Sequence, residues 1–258
     1  MQLSISELRF IYELDKRCRD SLTSISKKSK LSQQLASYRV KNYLEQGLIL
    51  SFTTFIDYVR FGYLNFRVYF KINYLSMEKF TSFLKALQTY SIITELVECG
   101  GKYDLIAVFV TLNPSEFNKQ LKELISSYPS QLKNYIILTT VVTHYYYREY
   151  LLQPSKGTVT LFRDPTQLDI IIGGDRTFLR LNKKEITLLE LLQSDARFTS
   201  VYLGKKIKVD PKTIRLRVKN LQQRGIIKAF RPIFNVQIAG FIVNKILLKY
   251  HNLSVEKE

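Results

Sequence analysis

The chain has 258 residues, 46% hydrophobic and 24% charged, a globular composition rather than a disordered one. Its 39 Lys and Arg against 22 Asp and Glu leave a net charge of +17, which favours a polyanionic partner and argues against acidic macromolecules. Two cysteines, Cys18 and Cys99, are too few for a disulfide-stapled scaffold. No apolar run approaches the length of a membrane span, so a soluble cytoplasmic protein with no membrane partner is expected.

The chain opens with Ser4-x-x-Glu7, a capping box that starts a helix carrying Leu8, Ile11 and Leu14 on one face. A second short helix is predicted over Leu22 to Lys30. A third begins after the cap Ser32, with Ala36, Val40 and Tyr43 facing inward and Gln33, Gln34, Ser37, Tyr38 and Lys41 outward. Gly47 ends that helix, and Leu48 to Phe52 reads as the first strand of a β-hairpin wing. Three helices and a wing make a winged helix-turn-helix, whose third helix enters the major groove of DNA. The same module also serves protein contacts.

Leu64 to Tyr74 reads as a strand, Met77 to Leu87 as a helix, Ile92 to Glu98 and Asp104 to Thr111 as strands, Pro114 to Ser127 as a helix and Gln131 to Tyr147 as a long strand. That order, β-α-β-β-α-β, is the ferredoxin-like plan, two helices on one face of an antiparallel sheet. The open face is expected to be covered by a second copy, giving a homodimer or a higher homo-oligomer. Gly100-Gly101-Lys102-Tyr103-Asp104 between the middle strands is either a plain hairpin turn or a site where backbone N–H groups meet a carboxylate and Asp104 holds an ammonium. Residues 151 to 182, with Pro154, Gly157, Pro165 and Gly173-Gly174, read as a linker in which Asp169 to Ile172 forms a short strand.

Beyond the linker the first module returns. Arg39-Val40-Lys41-Asn42 recurs as Arg217-Val218-Lys219-Asn220, an offset of 178. Without a gap the same offset aligns Glu7 with Glu185, Leu14 with Leu192, Arg19 with Arg197, Lys27-Lys28 with Lys205-Lys206, Gly47 with Gly225 and Gly62 with Gly240. Asn182-x-x-Glu185 caps its first helix, Thr199 to Lys208 is its second, and Asp210-Pro211 starts its third. Ser26 and Gly204 are small residues where two helices approach closely. Ile214, Val218 and Leu221 face inward on the third helix, and Lys212, Thr213, Arg215, Leu216 and Lys219 outward. Ile226 to Phe230 is its wing strand. Residues 183 to 258 carry 16 basic and 6 acidic side chains, a net +10, so most of the excess charge lies here.

These residues resemble the Lrp/AsnC (feast/famine) family of transcription regulators. The likeness rests on Leu31-Ser32, Arg39, Gly47-Leu48-Ile49 and Gly101-Lys102-Tyr103-Asp104. It implies dimers formed through the ferredoxin-like domain, and an amino-acid-like effector held near Gly101, Tyr103 and Asp104. Three features depart from the family pattern: a second helix-turn-helix, Ser29 where an aliphatic residue is usual, and a second unit with one trailing strand, Phe241 to Tyr250, that has no partners in its own unit. Either the chain is a piece of a longer protein or that strand pairs elsewhere in the assembly.

The expected architecture is α+β: a winged helix-turn-helix over 1–62, a ferredoxin-like ligand-sensing and dimerisation domain over 63–150, a linker over 151–182 and a second winged helix-turn-helix with its strand over 183–258. The expected function is sequence-specific binding of double-stranded DNA in transcription regulation. Gln33, Gln34, Ser37, Tyr38 and Lys41 are suited to base edges and nearby phosphates; Lys212, Thr213, Arg215, Lys219 and Arg231 supply the phosphate contacts. Two rivals stand beside it. One is an architectural protein that coats DNA. The other is an enzyme like the sirohaem decarboxylases, suggested by His144-Tyr145-Tyr146-Tyr147-Arg148. No metal-ligand spacing, Walker loop or dinucleotide motif appears, so no cofactor and no catalytic residue is expected.

Overall fold

The computed structural model describes residues 3–73, 76–152, 170–175 and 177–249. Helix α1 (Ile5–Arg17) starts at the predicted box: Ser4 accepts from the Glu7 N–H, and the Glu7 carboxylate accepts from the Ser4 N–H at 2.9 Å. Helices α2 (Leu22–Ser29) and α3 (Gln33–Glu45) follow, capped by Ser21 and Ser32. Ser29 is buried, and its hydroxyl donates to the Ile25 carbonyl at 2.9 Å, so the polar substitution leaves no unsatisfied group. The later copy has the same plan in α6 (Lys183–Ser194), α7 (Ser200–Ile207) and α8 (Pro211–Gln223). Asn182 and Glu185 repeat the capping box. At Gly204 a Cβ would sit 2.5 Å from the Val209 carbonyl oxygen, which is why this position is small.

The predicted wing hairpins do not form. Each module supplies one strand, β1 (Ile49–Ile56) and β8 (Ile227–Phe234), and these pair antiparallel with each other. Thr53 faces Arg231, its own counterpart at the offset of 178, while Phe52 faces Pro232 and Thr54 faces Phe230. The ladder is therefore its own image under a pseudo-two-fold axis beside Thr53 and Arg231. Packing is crossed in the same way: α1 lies on β8, and α6 lies on β1. The apolar core around Leu14, Ile25, Ala36 and Tyr43 takes in Ala196 and Phe230 of the other copy, and the core around Leu188, Leu203 and Ile214 takes in Ile56 and Phe61 of the first. Neither module completes its core alone, since full burial of one large apolar side chain stabilises by about 1.5–3 kcal/mol.

Between the copies lie β2 (Leu64–Ile72), α4 (Met77–Leu87), β3 (Ile93–Glu98), β4 (Leu105–Thr111), α5 (Pro114–Ser127) and β5 (Leu132–Thr140). The sheet order is β3-β4-β2-β5, antiparallel throughout, as the ferredoxin-like plan requires. Phe66, Val68 and Phe70 alternate along β2 and pack on the helices, with the rings of Phe66 and Phe117 stacked at 4.2 Å. Asn65, Arg67, Tyr69 and Lys71 take the opposite face. The long final strand expected over residues 131 to 147 breaks after Thr140. Its remainder, β6 (Val142–Tyr145), leaves the sheet and pairs with β7 (Ile170–Gly173), the short strand anticipated in the linker. Asp169 and the rest of 153–169 lie outside the described residues.

After β8 the turn ending at Gly240 repeats the one ending at Gly62: the Gly62 N–H donates to Val59 O at 3.0 Å, the Gly240 N–H to Gln237 O at 2.9 Å. The trailing strand expected from Phe241 is not a strand over 241–249. Among the described residues no ladder partner runs beside it, and Ile242 and Ile246 are 84% and 79% exposed. Tyr250 lies outside the described residues. Among the described residues no helix is long and apolar enough to cross a membrane.

Candidate nucleic-acid interface

Helices α3 and α8 present the faces read from their periodicity. Ala36, Val40 and Tyr43 are buried on α3, and Ile214, Val218 and Leu221 on α8. Gln33, Gln34, Ser37, Tyr38 and Lys41 are exposed, as are Lys212, Arg215, Leu216 and Lys219; Thr213 is half-buried. The two faces differ electrostatically. Lys41 lies 3.7 Å from Glu45, one turn on, an exposed pair of little energetic weight that still offsets the local charge. At the matching position α8 has Gln223, so Lys219 keeps its full field. Lys205 and Lys206, exposed on α7, add to it.

Arg231 corrects the sequence-based expectation. It is 4% exposed, and its guanidinium grips the buried Asp15 of α1, with Nε to Oδ1 at 3.0 Å and Nη2 to Oδ2. Arg148 Nη1 donates to the same Asp15 carboxylate. Paired opposite Thr53 in the ladder, Arg231 turns toward Asp15, so it fastens the two modules and is not available to DNA.

Sequence reading also missed the clasp between the modules. Arg19 donates to the carbonyl of Ala196, and Arg197, its counterpart, donates to the carbonyl of Cys18 at 2.6 Å. The Arg19 guanidinium lies 5.3 Å from the ring of Phe230, and that of Arg197 5.2 Å from the ring of Phe52. One contact is thus made twice, across the pseudo-two-fold. The available signal was the arginine kept at the same place in both copies. These residues also line a cleft of about 410 Å³ where the first module meets Arg215 and Lys219 of the second.

Cys18 sits under this clasp with no exposed surface, and burial pushes its thiol up to about 12 against the pull of Arg197 and Arg19. The thiolate is the reactive form, so iodoacetamide should label Cys18 at least about a hundredfold more slowly in the native protein than in denaturant, with Cys99 as the internal reference. Equal native rates by mass spectrometry would show that the clasp opens readily.

The Gly101–Asp104 turn is organised differently from the expectation. The Asp104 carboxylate is 2.9 Å from Lys71 Nζ and accepts the Ile72 N–H at 2.8 Å. Lys71 also donates to Gly101 O at 3.2 Å. An internal lysine therefore occupies the place expected for an effector's ammonium, which reaches Asp104 only by displacing it. Tyr103 is buried with its ring against Tyr69, while Gly101 is exposed. His144 is exposed, on the opposite side of β6 from the half-buried Tyr145.

The winged helix-turn-helix DNA-binding family matches residues 181–228, the second module. The HTH-type transcriptional regulator FL11 of Pyrococcus abyssi is 30% identical over 131 residues, 50% of this chain and 85% of that protein. FL11 of Pyrococcus horikoshii is 32% identical over 108 residues, 42% of this chain and 70% of that protein. The sirohaem decarboxylase NirDL superposes with a TM-score of 0.54 at 10% identity, over 89% of this chain and 65% of that one, a likeness of fold. The chain belongs to the Lrp/AsnC family of DNA-binding transcription regulators.

Proposed function

We propose that one chain presents α3 and α8 to double-stranded DNA as a covalently joined pair of recognition helices, reading sequence rather than coating the duplex. The observation that carries this reading is the β1–β8 ladder with its reciprocal arginine clasp. Together they relate the two exposed helix faces by a pseudo-two-fold of the kind that a palindromic operator has. Gln33 and Gln34 suit adenine edges, with Ser37, Tyr38 and Lys41 beside them; Lys212, Thr213, Arg215 and Lys219 supply phosphate contacts. Chains associate further through the ferredoxin-like domain, which gives four recognition helices in a dimer. An effector with an ammonium group reaches the Gly101–Asp104 turn by displacing Lys71.

Selection from a random duplex library tests the reading. A motif with two unequal half-sites, spaced by a whole number of turns of about 34 Å, is the expected result. Recovery of unenriched sequence, with specific and non-specific affinities alike, would replace the regulator by a coating protein.

A further inference from the structure

The free face of the four-stranded sheet does not lie flat against the module pair. A cavity of about 740 Å³ separates them, within the range of small-molecule sites and tens of times the size of the space an isolated water needs. Its floor is the sheet face carrying Asn65 and Arg67. Its roof comes from β1 of one module and α6 of the other, and Tyr58 and Tyr145 stand at the side. None of Gly101, Tyr103 and Asp104 lines it, so it is separate from the turn that the family resemblance singles out.

Arg67 supplies the cation on this floor. Its neighbours Phe66 and Val68 go into the core, so alternation sends its guanidinium into the cavity. The buried Nε makes no hydrogen bond, and among the described residues no carboxylate forms an ion pair with this guanidinium. The side chain as a whole is half-buried, so the cost falls on the Nε donor, and an anion supplied from outside satisfies it. Phe55 and Tyr145 stack beside it at 4.9 Å with 19° between their planes, a flat apolar shelf. Burial pushes the hydroxyls of both Tyr58 and Tyr145 up, so both stay protonated donors at neutral pH. Glu95 and Glu190 also line the walls, which disfavours a second negative charge on the occupant.

We infer that this cavity binds a small molecule with one carboxylate on a flat apolar body, the carboxylate on Arg67 and the body on the Phe55–Tyr145 shelf. The site goes beyond the DNA reading and does not depend on it. It lies between the sheet and the two modules, touching both halves of the DNA-binding pair.

The test is calorimetric titration of the full chain with 2-naphthoate and with its neutral analogue 2-naphthalenemethanol. One site per chain is expected, with the acid binding at least about tenfold more tightly, the effect of one charge-assisted hydrogen bond. Arg67→Gln should bring the acid down to the level of the alcohol. Thr94→Trp, at an exposed position on the cavity wall, should abolish binding of both. The inference is overturned if the wild-type chain shows no saturable binding, if the acid keeps its advantage in Arg67→Gln, or if Thr94→Trp binds as before. Tighter binding of 2-naphthyl phosphate would overturn the carboxylate in favour of a phosphate ligand.

Discussion

Replacing Asp15 by alanine is expected to destabilise the protein by about 3–5 kcal/mol, the largest single-residue effect anticipated for this chain. Asp15 has no exposed surface and accepts from Arg148 and Arg231, the latter 4% exposed and also donating to Tyr146 O at 3.4 Å. Loss of the carboxylate leaves two guanidinium groups facing each other with no countercharge, one of them out of water. The cost falls on three segments at once, because α1, β8 and the stretch holding Arg148 all meet at this carboxylate. The counterpart of Asp15 is Gln193, whose backbone carbonyl accepts from Thr53 at 3.2 Å. Gln193→Ala removes no buried charge and should therefore change stability by less than about 1 kcal/mol. Urea denaturation of both variants decides the matter. Similar midpoints for Asp15→Ala and the wild type would mean that the triad does not hold the modules together.

Arg215→Ala combined with Lys219→Ala is expected to weaken binding to every duplex sequence and to reduce the slope of log affinity against log salt by about 1.8, or about 0.9 for each phosphate no longer neutralised. Both side chains are exposed on α8, so folding stability should be unchanged. Gln33→Ala with Gln34→Ala should act the other way, leaving the salt slope intact and reducing discrimination between sequences by about 1–3 kcal/mol for each adenine edge no longer read. Arg231→Ala separates the structural reading from the one that charge alone suggested: it should destabilise the fold by leaving the buried Asp15 with Arg148 as its only cation among the described residues, and leave the salt slope of the folded protein as it was. Titrations at several salt concentrations distinguish these outcomes. A wild-type slope in the α8 double variant would end the assignment of phosphate binding to that helix.

Local order was largely legible from the residues. The capping boxes at Ser4 and Asn182, the proline start at Pro211 and the inward rows of α3 and α8 all rest on interactions within four residues, and all appear as expected. The ferredoxin-like order of elements was also readable, because alternation along β2 and the periodicity of α4 and α5 carry it. What failed was the pairing of the wing strands and of the side chains that reach across the chain. Leu48 to Phe52 and Ile226 to Phe230 have strand character, but nothing in a strand says which other strand completes its ladder. The nearest guess, a hairpin within each module, was natural and incorrect.

The side-chain assignments divide along the same line. An arginine on an exposed helix and an arginine in a strand look alike in composition, yet Arg215 meets solvent and Arg231 meets Asp15, 216 positions earlier. Asp104 looked like an open anion until the fold brought Lys71 beside it. Arg67 was an unremarkable basic residue of a strand, and became a candidate ligand anchor once the modules roofed its face of the sheet.

The amino-acid order by itself determined that this protein has duplicated three-helix modules with cationic and amide-bearing outer faces, since helix caps and periodicity are short-range and survive any arrangement of the rest. Only the tertiary structure decided that the duplicates interlock through one shared ladder, that some charges serve the joint and others the surface, and that a cavity remains between joint and sheet. Those outcomes depend on burial and on pairings between residues far apart in the chain, where the free energy of a pairing depends on what else the chain brings to the same place.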